Sequence, residues 1–167
     1  MDIQDQIVLV TGGARGVGAA TARAFAGQGA RVVVNWRASG EQAEALAAEL
    51  GERVLAVQAD VTDRAGVEAM VARASTHFGG PVSTVVNNAL DYSFNGDARA
   101  QMADIAWSDM DRQFSTVIRG ALNVIQATAP GMAAQASAGW STSAPTCSRI
   151  RSCPTTTTPP PRPPCSA

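Results

Sequence analysis

Ile7-Val8-Leu9-Val10-Thr11-Gly12-Gly13-Ala14-Arg15-Gly16-Val17-Gly18 decides how this chain folds. Its first four residues form a short apolar run suited to a parallel strand buried on both faces. Four glycines then break the run, and an alanine-rich stretch from Ala19 to about Gln28 reads as a helix. Strand, glycine turn and helix in that order present a helix N-terminus, with its unpaired N–H groups and positive dipole end, to a phosphate. A Cβ in the turn would hold a pyrophosphate away from the backbone, hence the glycines. An ordinary tight strand-to-helix turn also uses glycine, so the turn alone leaves both readings open.

The same alternation continues to about Asn88. Arg31–Trp36 reads as a second strand, entered through Gly29, a natural helix C-cap. Ser39 and Gln42 have capping-box spacing and open a helix that Gly51 closes. Arg53–Gln58 is a third strand ending at Asp60. Thr62 or Asp63 caps a third helix running to Phe78, stopped by Gly79-Gly80-Pro81. Val82–Val86 is a fourth strand and leads into Asn87-Asn88-Ala89. After a polar loop, Trp107 to Ala129 reads as one long helix, with Met110, Phe114, Val117, Ile118, Ala121 and Ile125 on one apolar face. Repeated βα units predict an α/β fold, a Rossmann-like doubly wound parallel sheet with helices on both faces and a ligand site beyond the strands' carboxyl ends. The glycine turn, Arg37, Asp60 and Asn88 all fall at those ends. That convergence turns the glycine stretch toward nucleotide binding.

Composition bounds the rest. A chain of 167 residues makes one domain with a real core. With 46% hydrophobic residues and a net charge of −1, it has no pull toward nucleic acid or membrane. No apolar run is long enough to span a bilayer, and Met1-Asp2-Ile3-Gln4-Asp5 lacks the basic start of a signal peptide, so a cytoplasmic protein is expected. Cys147, Cys153 and Cys165 fit no zinc-ligand spacing with His77, the one histidine, and no metal is expected. His77 reads as a solvated residue near a helix end. Residues 1–135 form the folded unit. Residues 136–167 are Ser/Thr/Pro-rich, show no period and read as an irregular tail, with a polyproline stretch at Pro159–Pro164.

Thr11-Gly12-x-x-x-Gly16-x-Gly18, Asp60-Val61, Asn87-Asn88-Ala89, Trp107 and the Gly120 to Pro130-x-Met132 pattern stand in order at fitting separations. Through them residues 6 to about 132 resemble the short-chain dehydrogenase/reductase family, including its 3-oxoacyl-acyl-carrier-protein reductase-like members. The resemblance implies an enzyme that moves a hydride between a nicotinamide cofactor and a carbonyl or alcohol substrate. It implies a cofactor site built from Thr11, Gly12, Arg15, Gly16, Val17, Gly18, Arg37, Asp60, Val61, Asn88 and Ala89. NAD-preferring members carry an acidic residue at the end of strand two. Here Asn35-Trp36-Arg37 stands there, and Arg37 with Arg15 offers guanidinium groups to a 2′-phosphate, so NADP(H) is expected over NAD(H). Family members associate as homo-oligomers through the long helix containing Phe114 and through a later helix. The later helix has no counterpart here, which leaves association in doubt and the sheet incomplete at its C-terminal edge.

The resemblance also implies a catalytic Tyr-x-x-x-Lys, a serine thirteen residues earlier and an asparagine three residues before Gly120. This chain departs from all three. Its one tyrosine, Tyr92, is followed four residues later by Gly96, and all 13 basic residues are arginine. Val117 stands at the asparagine position, and Asn123 lies about 240° further round the helix. No residue is therefore assigned to catalysis. The expectation is trace turnover at most, and the alternative is a non-catalytic dinucleotide-binding module or an inert truncation product.

A one-base slip between about Gln135 and Gly139 would account for the loss. Thr is always ACN and Pro always CCN, so reading from the third base of each codon turns every Thr-Thr junction into Tyr, His, Asn or Asp. Every junction ending in a Pro codon becomes Ser, Thr, Ala or Pro. From Pro154 onward the shifted frame accommodates Tyr-x-x-x-Lys-Ala-Ala-Leu-Leu, with the tyrosine at Thr157/Thr158 and the lysine at Pro161/Arg162. Thirteen junctions earlier, Ala144/Pro145 permits serine. From Gly139 to Ala144 the same frame permits Met-Val-Asn-Ile-Gly, which resembles the family's fifth strand.

Overall fold

The computed structural model describes residues 2–91 and 106–135, with Asp109 and residues 139–142 described as backbone. β1 is Ile7–Val10, and it is followed by α1, Gly16–Gly27. β2 (Arg31–Trp36), α2 (Gly40–Leu50), β3 (Val54–Gln58), α3 (Arg64–Phe78) and β4 (Thr84–Asn87) repeat the unit. α4 (Trp107–Phe114), a π-helical turn (Ser115–Arg119) and α5 (Gly120–Ala134) then run on from one another. β5 is Gly139–Thr142. The sheet order is β3-β2-β1-β4-β5, and every pair is parallel.

Helices cover both faces of the sheet, and the burial of β1 shows why its run is continuously apolar. Ile7 and Leu9 enter one core with Val67 and Met70 of α3 and Val124 and Met132 of α5. Val8 and Val10 enter the other with Ala19 and Ala22 of α1 and Ala43 and Leu46 of α2. A strand buried on both sides has no polar face to alternate with. The strand order reverses at β1, so a crevice opens beyond the carboxyl ends of β1 and β4.

Local signals mostly act as expected. Asp63 caps α3 by accepting the Ala65 and Gly66 N–H groups at 3.2 Å, and Gly79 closes it with φ +72°. Gly29 takes φ +90° just past the Gln28 C-cap. The capping box at Ser39 and Gln42 does not form. Ser39 holds the N-cap position with ψ 55°, away from the extended backbone that lets a cap side chain reach the first turn, and makes no cap hydrogen bond. His77 is exposed, its ring edge-on to Phe78.

The helix expected over Trp107–Ala129 reaches Ala134, and its buried face is not the apolar one. Met110, Phe114 and Ile118 are 43%, 50% and 60% exposed. The buried residues are Thr116, Gly120, Asn123, Val124, Thr128 and Met132. Close approach explains the reversal. A Cβ on Gly120 would stand 2.6 Å from Val61 Cγ2, and one on Gly131 would stand 2.7 Å from Pro81 Cβ. Asn123 donates Nδ2–H to the carbonyls of Val61 (2.9 Å) and Thr62 (3.2 Å). Small and polar residues make this contact, so counting hydrophobicity selects the outer stripe.

The irregular tail expected from residue 136 gives way at Gly139–Thr142 to β5, which pairs with Thr84–Asn87. Tyr92, Cys147, Cys153, Cys165 and Pro159–Pro164 lie outside the described residues. Among the described residues no helix is long and apolar enough to cross a membrane, and no group of three His, Cys, Asp or Glu could hold a metal ion.

Gly120→Ala should lower unfolding stability in urea by about 1–3 kcal/mol through overpacking against Val61. Ile118→Ala, on the exposed stripe, should change it by less than about 0.5 kcal/mol. The opposite ranking would reverse the assignment of faces.

Candidate nucleotide-binding site

β1 and β4 end side by side, and Thr11 joins them. The Thr11 N–H donates to the Val86 carbonyl at 3.0 Å. Its buried hydroxyl donates to the same carbonyl at 3.3 Å and accepts the N–H groups of Asn88 (2.9 Å) and Ala89 (3.0 Å). Asn88 answers by donating Nδ2–H to the carbonyls of Thr11 (3.0 Å) and Gly12 (3.1 Å). From the other side, buried Asn35 of β2 accepts the Gly12 N–H on Oδ1 at 3.3 Å and the Gly13 N–H on its carbonyl at 2.9 Å. The Asn35 amide also donates to the Ala59 carbonyl at 2.9 Å. Two asparagines thus hold the glycine turn between β2 and β4. Asn35 was not among the expected site residues, although a lone amide in the apolar run Arg-Val-Val-Val-Asn-Trp is a sequence signal for such a role.

The glycines divide the work. Gly12 and Gly16 take φ +61° and +56°, a backbone open to glycine at little cost. A Cβ on Gly18 would stand 2.5 Å from the Gly12 carbonyl oxygen and 2.6 Å from Asn88 Nδ2, so this glycine seats α1 on the turn. A Cβ on Gly16 would meet nothing within 4 Å, so that backbone faces open space. Val17 and Arg15 beside it are exposed. Arg15 is the N-cap of α1 and makes no side-chain cap hydrogen bond. The first helical bond runs from the Ala19 N–H to the Arg15 carbonyl. The N–H groups before it have no partner inside the helix. An uncapped helix start beside an unobstructed glycine fits a pyrophosphate.

A second cluster forms beyond β2 and β3. Asp60 Oδ1 accepts the Thr62 N–H at 2.8 Å and the Thr62 hydroxyl at 2.7 Å. Arg37 places Nη1 3.8 Å from Asp60 Oδ2 and Nη2 3.1 Å from Asp91 Oδ1. Burial pushes the Asp60 carboxyl up, but the two Thr62 hydrogen bonds and the Arg37 charge outweigh it and hold the group below the usual carboxylate range. An ionised Asp60 is a hydrogen-bond acceptor only, suited to a ribose hydroxyl or an amino group. A cavity of 480 Å³ opens alongside, lined in part by Arg37, Thr62, Asp91, Asp111, Ser115 and Arg119.

Thr11, Gly12, Asn88 and Ala89 therefore come together in one hydrogen-bonded knot, with Gly18 packed against it. Arg15, Gly16 and Val17 form its open edge, and Arg37 and Asp60 form the second cluster. Val61 is placed differently, with its side chain buried against Gly120 of α5. The Arg37 guanidinium, expected to face a 2′-phosphate, lies beside the two carboxylates of Asp60 and Asp91.

Comparison with known proteins identifies the family. The short chain dehydrogenase family model matches residues 6–140. The chain belongs to the short-chain dehydrogenase family. It is 35% identical over 134 residues to a sorbitol dehydrogenase of Cereibacter sphaeroides, a match covering 80% of this chain and 50% of that protein. Its fold is similar to a short chain dehydrogenase from Burkholderia cenocepacia solved in complex with NADP (TM-score 0.69, 33% identity), covering 79% of this chain and 53% of that one. It is also similar to a 3-ketoacyl-(acyl-carrier-protein) reductase from Brucella melitensis complexed with NADH (TM-score 0.68, 32% identity), covering 77% and 51%. The chain spans about half the length of the curated relatives it matches. Short-chain dehydrogenases are oxidoreductases that use nicotinamide cofactors, and the knot around Thr11 lies within the matched residues.

The lowered folded-state carboxyl of Asp60 contributes stability that is full above the ordinary carboxylate range and is lost as pH falls through the lowered value. Asp60→Asn should therefore flatten the acid side of the stability–pH curve. An unchanged acid limb would mean that Thr62 and Arg37 do not stabilise the ionised form.

Proposed function

We propose that this chain is the cofactor half of a cytoplasmic NADP(H)-dependent oxidoreductase acting on a small carbonyl or alcohol, and that as it stands it binds the cofactor without catalysing hydride transfer. The observation that carries the binding reading is the open, uncapped start of α1 beside Gly16, braced by the Thr11–Asn88 knot. Gly12, Arg15, Gly16, Val17 and Gly18 would hold the pyrophosphate, and Asp60, Val61 and Arg37 would border the adenosine. Asn88 and Ala89 keep the turn in shape. In the complete enzyme the cofactor would supply or accept the hydride.

The NADP(H) preference is supported by the end of β2. Asn35 there is committed to the fold through Gly12 and Ala59, no carboxylate occupies the adjoining Trp36 and Arg37, and Arg37 offers a planar cation. The two solved relatives carry NADP and NADH, so the family frame admits both. Association, if it occurs, is assigned to the exposed stripe of Trp107, Phe114, Ile118 and Leu122.

The lack of turnover is inferred from the residues available. The chain has no lysine, and Val117 stands in place of the family's asparagine. A one-base slip is supported by where the likeness stops. The family match ends at residue 140, while the chain runs on to Ala167. The backbone of Gly139–Thr142 still takes the place of a fifth parallel strand, although the frame as given reads Gly-Trp-Ser-Thr. The shifted frame permits Met-Val-Asn-Ile-Gly from Gly139 to Ala144.

Two measurements test this reading. NADPH should raise the melting temperature of the chain, while NADPH oxidation with ketone substrates stays at background. Robust turnover by the pure chain would overturn the inactive reading. Nucleotides encoding Gln135 to Ala167, read from independent template, should open through a Tyr-x-x-x-Lys segment when one base is restored. An intact frame whose shifted reading lacks that motif would make the tail genuine.

A further inference from the structure

We propose that Asp91 sets the strength of the 2′-phosphate preference, by occupying the Arg37 guanidinium and competing with the phosphate for it. The inference rests on the reading of Arg37 as the 2′-phosphate partner. Of the two carboxylates beside Arg37, Asp91 makes the hydrogen bond, Nη2 to Oδ1 at 3.1 Å. Asp60 stands at 3.8 Å, and its Oδ1 is held by Thr62 whether or not Arg37 stays. Asp60 is a fixed wall of the cluster, and Asp91 is the competitor.

The placement of Asp91 is fixed by the same knot that holds the glycine turn. It follows Asn88 and Ala89, whose N–H groups are anchored on Thr11, by only two further residues. Its carbonyl also accepts the Gln113 side-chain amide from α4. The Asp91 side chain is 24% exposed against 51% for Arg37, so the carboxylate is the better-held partner and the guanidinium the one free to turn. A guanidinium presents its N–H donors in one plane, and a phosphate reaching Arg37 competes for the edge that Asp91 uses. A phosphate that leaves the pair intact instead meets the Asp91 charge beside it. Both routes weaken binding of a 2′-phosphorylated nucleotide and leave an unphosphorylated one unaffected. The neighbouring cavity is lined by Arg37, Arg112 and Arg119 against Asp91 and Asp111, so neutralising Asp91 enlarges the excess of positive charge facing the ligand.

Calorimetric titration of the full chain with 2′,5′-ADP and with 5′-AMP tests the proposal. Asp91→Asn should bind 2′,5′-ADP about two- to fivefold more tightly, as expected from releasing an exposed ion pair. Its affinity for 5′-AMP should not change, and Asp91→Glu should stay near the parent. Asp91→Ser removes the same charge and serves if the asparagine variant melts early. No gain for 2′,5′-ADP while 5′-AMP binds, or an equal gain for both nucleotides, overturns the role of Asp91 and leaves the nucleotide site standing. Binding of neither nucleotide by any variant overturns the site itself, and this inference with it.

Discussion

One hydroxyl group carries the organisation of the ligand edge. At the carboxyl ends of β1 and β4 the sheet order reverses, and the two chains part with backbone N–H and C=O groups that must find partners. Thr11 supplies them, giving its hydroxyl proton to Val86 and accepting two N–H groups from Asn88 and Ala89. Asn88 closes the circuit on the carbonyls of Thr11 and Gly12. These bonds fix the first residues of the glycine turn. The turn's left-handed glycines and the close seat of Gly18 then aim the start of α1 into the crevice. Loss of the circuit would leave buried polar groups unpaired, each costing about 1–3 kcal/mol.

The adenosine side depends on a different contact. α5 lies close over the loop that follows β3 because Gly120 offers no side chain to Val61 and Asn123 takes the carbonyls of Val61 and Thr62. That contact holds the segment in which Thr62 pins Asp60 and keeps it ionised. The consequence appears on the outside of the same helix. With the inner face given to small and polar residues, the bulky ones, Trp107, Phe114, Ile118 and Leu122, are left to solvent.

Much of this was legible in the residues, for stated reasons. β2 was readable to the residue and β1 nearly so, because strands buried on both faces write themselves as unbroken apolar runs. Asp63 and Gly79 were readable because each satisfies helix ends by a local bond or a left-handed turn. The glycine turn, Asp60 and Asn88 were placed correctly at one edge because the βα alternation leaves few topologies. What could not be read depended on distant partners. The inner face of α5 is set by the nearness of Val61, not by hydrophobicity. Asn35 acts on residues more than twenty positions away on either side. Asp91 meets Arg37 across 54 residues. β5 forms by pairing with β4, from Gly-Trp-Ser-Thr, which carries no apolar run to mark it.

Backbone amide resonances of the isotopically labelled chain, followed as NADPH is added, test the central claim most directly. If the chain is a dinucleotide-binding half built on the Thr11 knot, the largest changes fall on residues 12–18, with Asn88 and Ala89, and smaller ones on residues 60–62. Resonances that do not move at saturating NADPH, or that move only along the outer stripe of α4 and α5, would contradict it.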